Sequence, residues 1–234
     1  MRIALLRGRT ESGITHSMNY SGVIFDLDGT LLNTLDDLAD SCNRQLARRG
    51  FPVHPTDAYR YFVGNGAKKL VERALPGGSG SELVDQFLMD FREDYARHCF
   101  DKTAPYAGIP EMLENLQQAG LAMAVLSNKP DAETRRVVER YFPSGLFSHT
   151  YGQRDGIPHK PDPAGVAPIL EDLGLKAAST AFVGDTWIDM QTAKRSGCVP
   201  IGVLWGFREE SELEENGAQL IAANPTELTD LLLG

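Results

Sequence analysis

Gly22-Val23-Ile24-Phe25-Asp26-Leu27-Asp28-Gly29-Thr30-Leu31-Leu32-Asn33-Thr34 decides the fold of this 234-residue chain. Val23, Ile24 and Phe25 form a short apolar run that stops at Asp26, and Asp28, Gly29 and Thr30 follow. Such a run, closed by an Asp and Gly cluster, reads as a buried parallel strand leaving its sheet at the C-terminal edge. Open α/β sheets hold their ligands at that edge. Residues two apart in an extended chain point the same way, so Asp26 and Asp28 face one crevice. Two carboxylates that close repel each other and need a cation or a shared proton to coexist. The pair points to a metal-assisted site.

Outward from this stretch, the pattern first turns helical. Leu35, Leu38, Cys42, Leu46 and Ala47 recur at three- and four-residue spacing up to Gly50. Further helices are predicted over 56–62, 67–75 and 81–100, broken by Gly64-Asn65-Gly66 and by Pro76 to Gly80. Residues 35–100 therefore read as a helical insertion without a strand. Beyond Tyr106 the periods alternate. Helices are predicted over 110–118, 132–141, 164–173, 187–196, 211–216 and 225–233, and strands over 121–126, 147–151, 180–183, 200–204 and 220–222. Alternation of this kind implies right-handed crossovers and a parallel sheet. The fold class is α/β, with a Rossmann-like core over 18–34 and 101–234 and the helical insertion over 35–100.

Three apolar strands end in groups suited to phosphoryl transfer: Asp26 and Asp28, Ser127 and Asn128, Asp185 and Asp189. Lys160 lies in the loop between the last two. Parallel strands bring their C-terminal ends to one edge, so these groups can converge. Singly, each also reads as ordinary loop chemistry: a DxD turn, a capping Thr30, a solvated Lys160, an N-cap at Asp185. Their order at three strand ends favours a site. Asp26 is placed to attack phosphorus and form an acyl phosphate. Asp28 is placed to protonate the leaving oxygen and then to deprotonate water. Crowded carboxylates beside a phosphate call for Mg²⁺. Lys160 and the Ser127 hydroxyl suit equatorial phosphate oxygens. Backbone N–H groups around Gly29, Thr30 and Asn128 add donors to the substrate.

Asp26-Leu27-Asp28-Gly29-Thr30, Ser127-Asn128-Lys129, His159-Lys160-Pro161-Asp162 and Gly184-Asp185-Thr186-Trp187-Ile188-Asp189, in this order, resemble the four motifs of the haloacid dehalogenase superfamily. The resemblance covers nearly the whole chain from Met18. It implies Asp26 as nucleophile and Asp28 as acid/base. It implies metal ligation by Asp26, Asp28 (through its carbonyl) and Asp185, with Asp189 as an outer partner. It also implies that 35–100 is a cap domain, and the second Asp implies phosphate-ester hydrolysis. Asn33 stands where many relatives have Asp. Phe62 to Leu75 looks like the specificity loop and helix of phosphoglycolate phosphatases, which brings Gly64, Asn65, Gly66 and Lys68 to the substrate. Glycines there let backbone N–H groups approach a ligand, and the helix start favours an anion. The reading is a phosphatase acting on a small phosphorylated metabolite, first 2-phosphoglycolate. A nucleotidase, pyrophosphatase or sugar-phosphate phosphatase is the near rival, and a non-catalytic regulator on the same fold the distant one.

Composition bounds the rest. The formal net charge is −9, which argues against nucleic acid or an anionic membrane as partner. Cys42, Cys99 and Cys198 make an odd count without a CxxC, which suits a reducing cytoplasm. No apolar run approaches the ~20 residues of a membrane span. The first 17 residues hold three arginines against Glu11 and read as a loosely ordered extension ahead of a second Met at 18. The expected quaternary state is a monomer or a weak homodimer.

Overall fold

The computed structural model describes residues 20–234; the extension 1–17 and Met18 lie outside the described residues. In chain order, β1 (Gly22–Phe25) and β2 (Leu32–Asn33) lead into α1 (Leu35–Arg48), α2 (Tyr59–Phe62), α3 (Ala67–Ala74) and α4 (Ser81–His98). The chain returns through β3 (Ala104–Pro105) to α5 (Ile109–Gln118), β4 (Ala122–Pro130), α6 (Asp131–Tyr141) and β5 (His149–Gln153). It closes with α7 (Ala167–Asp172), β6 (Thr180–Gly184), α8 (Trp187–Ser196), β7 (Val199–Val203), α9 (Glu210–Glu215), β8 (Leu220–Ala222) and α10 (Pro225–Leu233).

Six strands form one parallel sheet in the order β5-β4-β1-β6-β7-β8. β1 is central and wholly buried. Its alternate residues feed two cores, as the strand period requires. Val23 and Phe25 join Met123, Val125 and Val183 under α5 and α10. Ile24 joins Ala124, Phe182, Ile169 and Ala193 on the opposite face. The strand order reverses at β1, which makes the ends of β4, β1 and β6 the switch point where a crevice forms.

Register brings the polar residues together there. Phe25 pairs with Val125 on one side and with Val183 on the other. Asp26 therefore leaves the sheet level with Leu126 and Gly184, and Ser127 and Asp185 follow one step later. β4 runs on to Pro130, four residues past the expected end at Leu126. The motif Ser127-Asn128-Lys129 thus falls within the strand, over a stretch where the register with β5 shifts, although the sequence suggests a loop.

Helices α1 to α4 have a core of their own, including Leu38, Leu46, Tyr59, Val71, Phe87 and Phe91. No strand falls within 35–98. The sequence gives no sign of β2 and β3, which pair antiparallel, Leu32 with Pro105 and Asn33 with Ala104. Two-residue strands carry too little periodicity to read. They join the entry and exit of the helical segment side by side. The buried Asp37 carboxylate fastens them, accepting the Lys102 and Thr103 N–H groups at 2.9–3.1 Å and the Thr103 hydroxyl at 2.8 Å. No helix of the described residues is long and apolar enough to cross a membrane.

Candidate active site

Four carboxylates and two lysines meet at the switch point. Oxygens of Asp26, Asp185 and Asp189 lie within 4.8 Å of one another, and all three residues are buried. Lys160 stands among them, its ammonium 2.9 Å from Asp26 Oδ1 and 2.8 Å from Asp189 Oδ1. Asp26 Oδ1 also accepts the Leu27 N–H at 2.7 Å, which leaves Oδ2 for reaction.

Asp185 is held at both oxygens, by the Thr30 hydroxyl at 3.0 Å and the Phe207 N–H at 2.8 Å. Gly29 turns beneath it at φ +88°, and any Cβ there would overlap the Asp185 carboxylate. Glycine is required at that position both for its backbone conformation and for the close approach. Asp189 Oδ2 accepts the Thr186 N–H and hydroxyl at 3.1 and 2.7 Å across the start of α8. With Oδ1 on Lys160, both its oxygens are occupied by protein donors.

These contacts set the charges. Burial first, and then the Asp189 carboxylate, push Asp26 well above the usual carboxylate range, against the pull of Lys160. Burial and Asp189 push Asp185 up to about 7, although the Phe207 N–H and the Thr30 hydroxyl oppose the shift. Burial works against the charge on Lys160, but Asp189 and Asp26 outweigh it and hold the ammonium above its ordinary range.

Between the ordinary value of 3.8 and about 7, the folded chain keeps a proton on Asp185 that the unfolded chain has released. Folding stability from this group is therefore fully present below the lower value and is lost as pH rises through the upper one. In a chelating buffer, the chain is expected to lose about 2–4 kcal/mol relative to Asp185→Asn between roughly pH 4.5 and 7.5. Urea unfolding across that range measures it, and a constant difference between the two proteins contradicts it.

A small pocket of about 50 Å³ opens beside Asp26 and Asp28, between β4 and the helical segment. Ser127, Asn128 and Lys129 line it from the sheet, and Leu38, Val63, Leu70 and Phe91 from the helical segment. Gly64 and Gly66 border it, at φ +118° and +84°.

Several predicted substrate contacts are placed otherwise. The Thr30 hydroxyl is spent on Asp185. The Asn128 amide donates to the carbonyls of Gly64 (2.9 Å) and Lys160 (3.0 Å) and accepts the Lys160 N–H at 2.8 Å, so it ties two loops to the sheet. Asn65 accepts from Arg73 at 2.7 Å, and Lys68 pairs with Asp85 at 2.8 Å on the exposed face. Neither borders the pocket. A helix start presents its backbone toward a ligand, but the side chains of its first residues can splay to solvent, and Lys68 does so.

Sequence reasoning missed Tyr95, Arg92 and Glu133, which line the pocket, and the role of Lys129. Lys129 is buried, with its ammonium 2.9 Å from the Tyr95 hydroxyl and 3.2 Å from Asp28 Oδ1. A lysine three residues beyond a buried apolar run was the available signal.

Comparisons with known proteins identify the family. The family described as haloacid dehalogenase-like hydrolase matches residues 23–203. The phosphoglycolate phosphatase of Pseudomonas savastanoi pv. phaseolicola is 35% identical over 206 residues, 85% of this chain and 75% of that protein. That of Psychrobacter arcticus is 31% identical over 216 residues, 89% of this chain and 90% of that protein. A crystal structure from Lactobacillus delbrueckii subsp. bulgaricus, provisionally called a phosphoglycolate phosphatase, matches with a TM-score of 0.88 and 32% identity. It covers 93% of this chain and 100% of its own.

Proposed function

This chain belongs to the haloacid dehalogenase-like hydrolase family and is a phosphatase; from that premise we propose that it hydrolyses 2-phosphoglycolate, with Mg²⁺, through a phosphoaspartate on Asp26. The observation that carries the reading is the small pocket beside Asp26 and Asp28, roofed by apolar side chains of the helical segment. A pocket of that size favours a short ester over a larger substrate. The names of the curated relatives support the same substrate.

Asp26, Asp185 and the Asp28 carbonyl would hold the cation, with Asp189 acting from behind. The donor set fits a hard divalent ion: three buried carboxylates crowd within 4.8 Å, against one lysine in direct contact with two of them. Bound there, Mg²⁺ supplies positive charge that allows a phosphate dianion to approach.

Asp26 Oδ2 attacks phosphorus as the bond to the leaving oxygen breaks, and Asp28 gives that oxygen its proton. Asp28 then takes a proton from water, whose oxygen attacks the acyl phosphate and releases inorganic phosphate. Lys160 and the Ser127 hydroxyl bind oxygens on which charge grows. The Ser127 oxygen accepts the Lys129 N–H at 3.2 Å, which orients its proton away from that bond and leaves it free to donate. The segment 35–100 serves as a cap that excludes water when closed, and β2 with β3 is its hinge.

A phosphate-release screen over 2-phosphoglycolate, nucleoside monophosphates, sugar phosphates and pyrophosphate tests the substrate. 2-Phosphoglycolate is expected to lead in kcat/KM by about two orders of magnitude, near 2.7 kcal/mol of differential transition-state binding. Activity is expected to vanish with chelator and return with Mg²⁺. A lead by another ester retires the phosphoglycolate assignment and leaves the phosphatase. No hydrolysis of any ester favours the non-catalytic regulator.

A further inference from the structure

We propose that Lys129 is the specificity-determining residue of this site, and that it receives a second anionic group, a carboxylate at the far end of a short phosphate ester. The proposal rests on the phosphatase reading above and names the group that this enzyme recognises in its leaving alcohol.

Lys129 is 7% exposed, inside the all-buried stretch Met123 to Lys129 of a parallel strand. Burying an ammonium costs several kcal/mol unless charges and hydrogen bonds replace its water. Its three N–H groups are not all used. One donates to the Tyr95 hydroxyl at 2.9 Å. Asp28 Oδ1 lies 3.2 Å away, yet that oxygen is buried without an aligned hydrogen bond. The pairing with Asp28 is thus one of charge at short range, and donor capacity remains toward the pocket that Lys129 lines. The Tyr95 ring, 4.6 Å from the ammonium, supports it from α4. Asp28 and Tyr95 keep the group charged in spite of its burial.

The same small pocket touches Asp26, where phosphorus is attacked, and Lys129. An ester with its phosphoryl group on Asp26 therefore shares this pocket with the ammonium. A carboxylate there satisfies the spare donors. With a neutral end group the spare donors of Lys129 stay unpaired, and sites built for a polar partner reject analogues that lack it. Arg92 and Glu133 also line the pocket, with opposite charges, so neither sets its sign alone. The competing role for Lys129 is to hold Asp28 for proton transfer. That role affects every ester alike, whereas recognition of a carboxylate does not, and this difference is the test.

Wild type, Lys129→Met and Lys129→Arg are compared on 2-phosphoglycolate, 2-phospholactate and ethyl phosphate, the last a two-carbon ester without the carboxylate. The wild-type ratio of kcat/KM, best carboxylated ester over ethyl phosphate, is expected to fall about 30- to 100-fold in Lys129→Met and to recover in part in Lys129→Arg. Equal losses on all esters, or a wild type without preference for the carboxylate, overturn the proposal. If 2-phospholactate leads and its advantage collapses in Lys129→Met, Lys129 keeps its role and only the 2-phosphoglycolate assignment fails. Should Lys129→Met not fold, inhibition of the wild type decides: glycolate is expected to compete at least about tenfold more tightly than neutral glycolamide, and equal inhibition overturns the proposal.

Discussion

Asp26→Asn is expected to lower kcat by about four to six orders of magnitude on every ester, with the fold retained. The substitution is nearly isosteric. The amide oxygen can still accept the Leu27 N–H and the Lys160 ammonium, which Asp26 meets at 2.7 and 2.9 Å. What disappears is the proposed nucleophile, because an amide oxygen does not displace an alcohol from phosphorus. One negative charge also leaves a buried cluster whose burial and Asp189 already push the Asp26 carboxyl toward neutrality. Stability in chelating buffer is therefore expected to hold or rise by about 1 kcal/mol near neutral pH. Two measurements separate loss of chemistry from loss of structure. Urea unfolding reports the second. Acid quench of the wild type during turnover of ³²P-labelled ester is expected to trap label that hydroxylamine releases, and the variant is expected to trap none. Residual activity above about one per cent would place the nucleophile elsewhere.

Much of this site was legible because strand periodicity and register do most of the positioning. Once Val23 to Phe25 reads as a central parallel strand, Asp26, Ser127 and Asp185 must arrive at neighbouring levels of one sheet edge, and the pairings of Phe25 with Val125 and Val183 deliver that. Lys160 was legible as a charge in the right loop, although its two carboxylate partners were not. Less legible were contacts decided by which of two acceptable partners a side chain takes. Thr30 offers a hydroxyl to substrate or to Asp185, and it takes Asp185. Asn128 could face a phosphate, but its amide joins the loops of Gly64 and Lys160. Lys68 sits at the correct helix start and still turns to Asp85. No spacing rule separates these outcomes, because they depend on packing between distant segments. Lys129 is the instructive omission. It is buried at the end of β4, past the expected strand end at Leu126, against Tyr95 of α4 and Asp28.

Lys160→Met carries the second large effect, and it splits into two parts that can be measured separately. The side chain is 4% exposed and its ammonium sits between Asp26 and Asp189. Removing one partner of a buried ion pair leaves the other charge without compensation, at a cost of about 3–5 kcal/mol. That loss is expected at neutral pH in chelating buffer. It should shrink as acid protonates the carboxylates and also when Mg²⁺ is added. Turnover is expected to fall by about three orders of magnitude, because charge growing on the transferring phosphoryl group loses its fixed partner. A purely structural lysine would produce the first effect and a smaller share of the second. The double variant Lys160→Met/Asp189→Asn distinguishes the two, since it removes the stranded charge without restoring a cation to the phosphate. Stability is expected to recover by more than half while kcat stays low. Recovery of both would make Lys160 a positioning residue for Asp26, and recovery of neither would place the stability loss outside the Lys160–Asp189 pair.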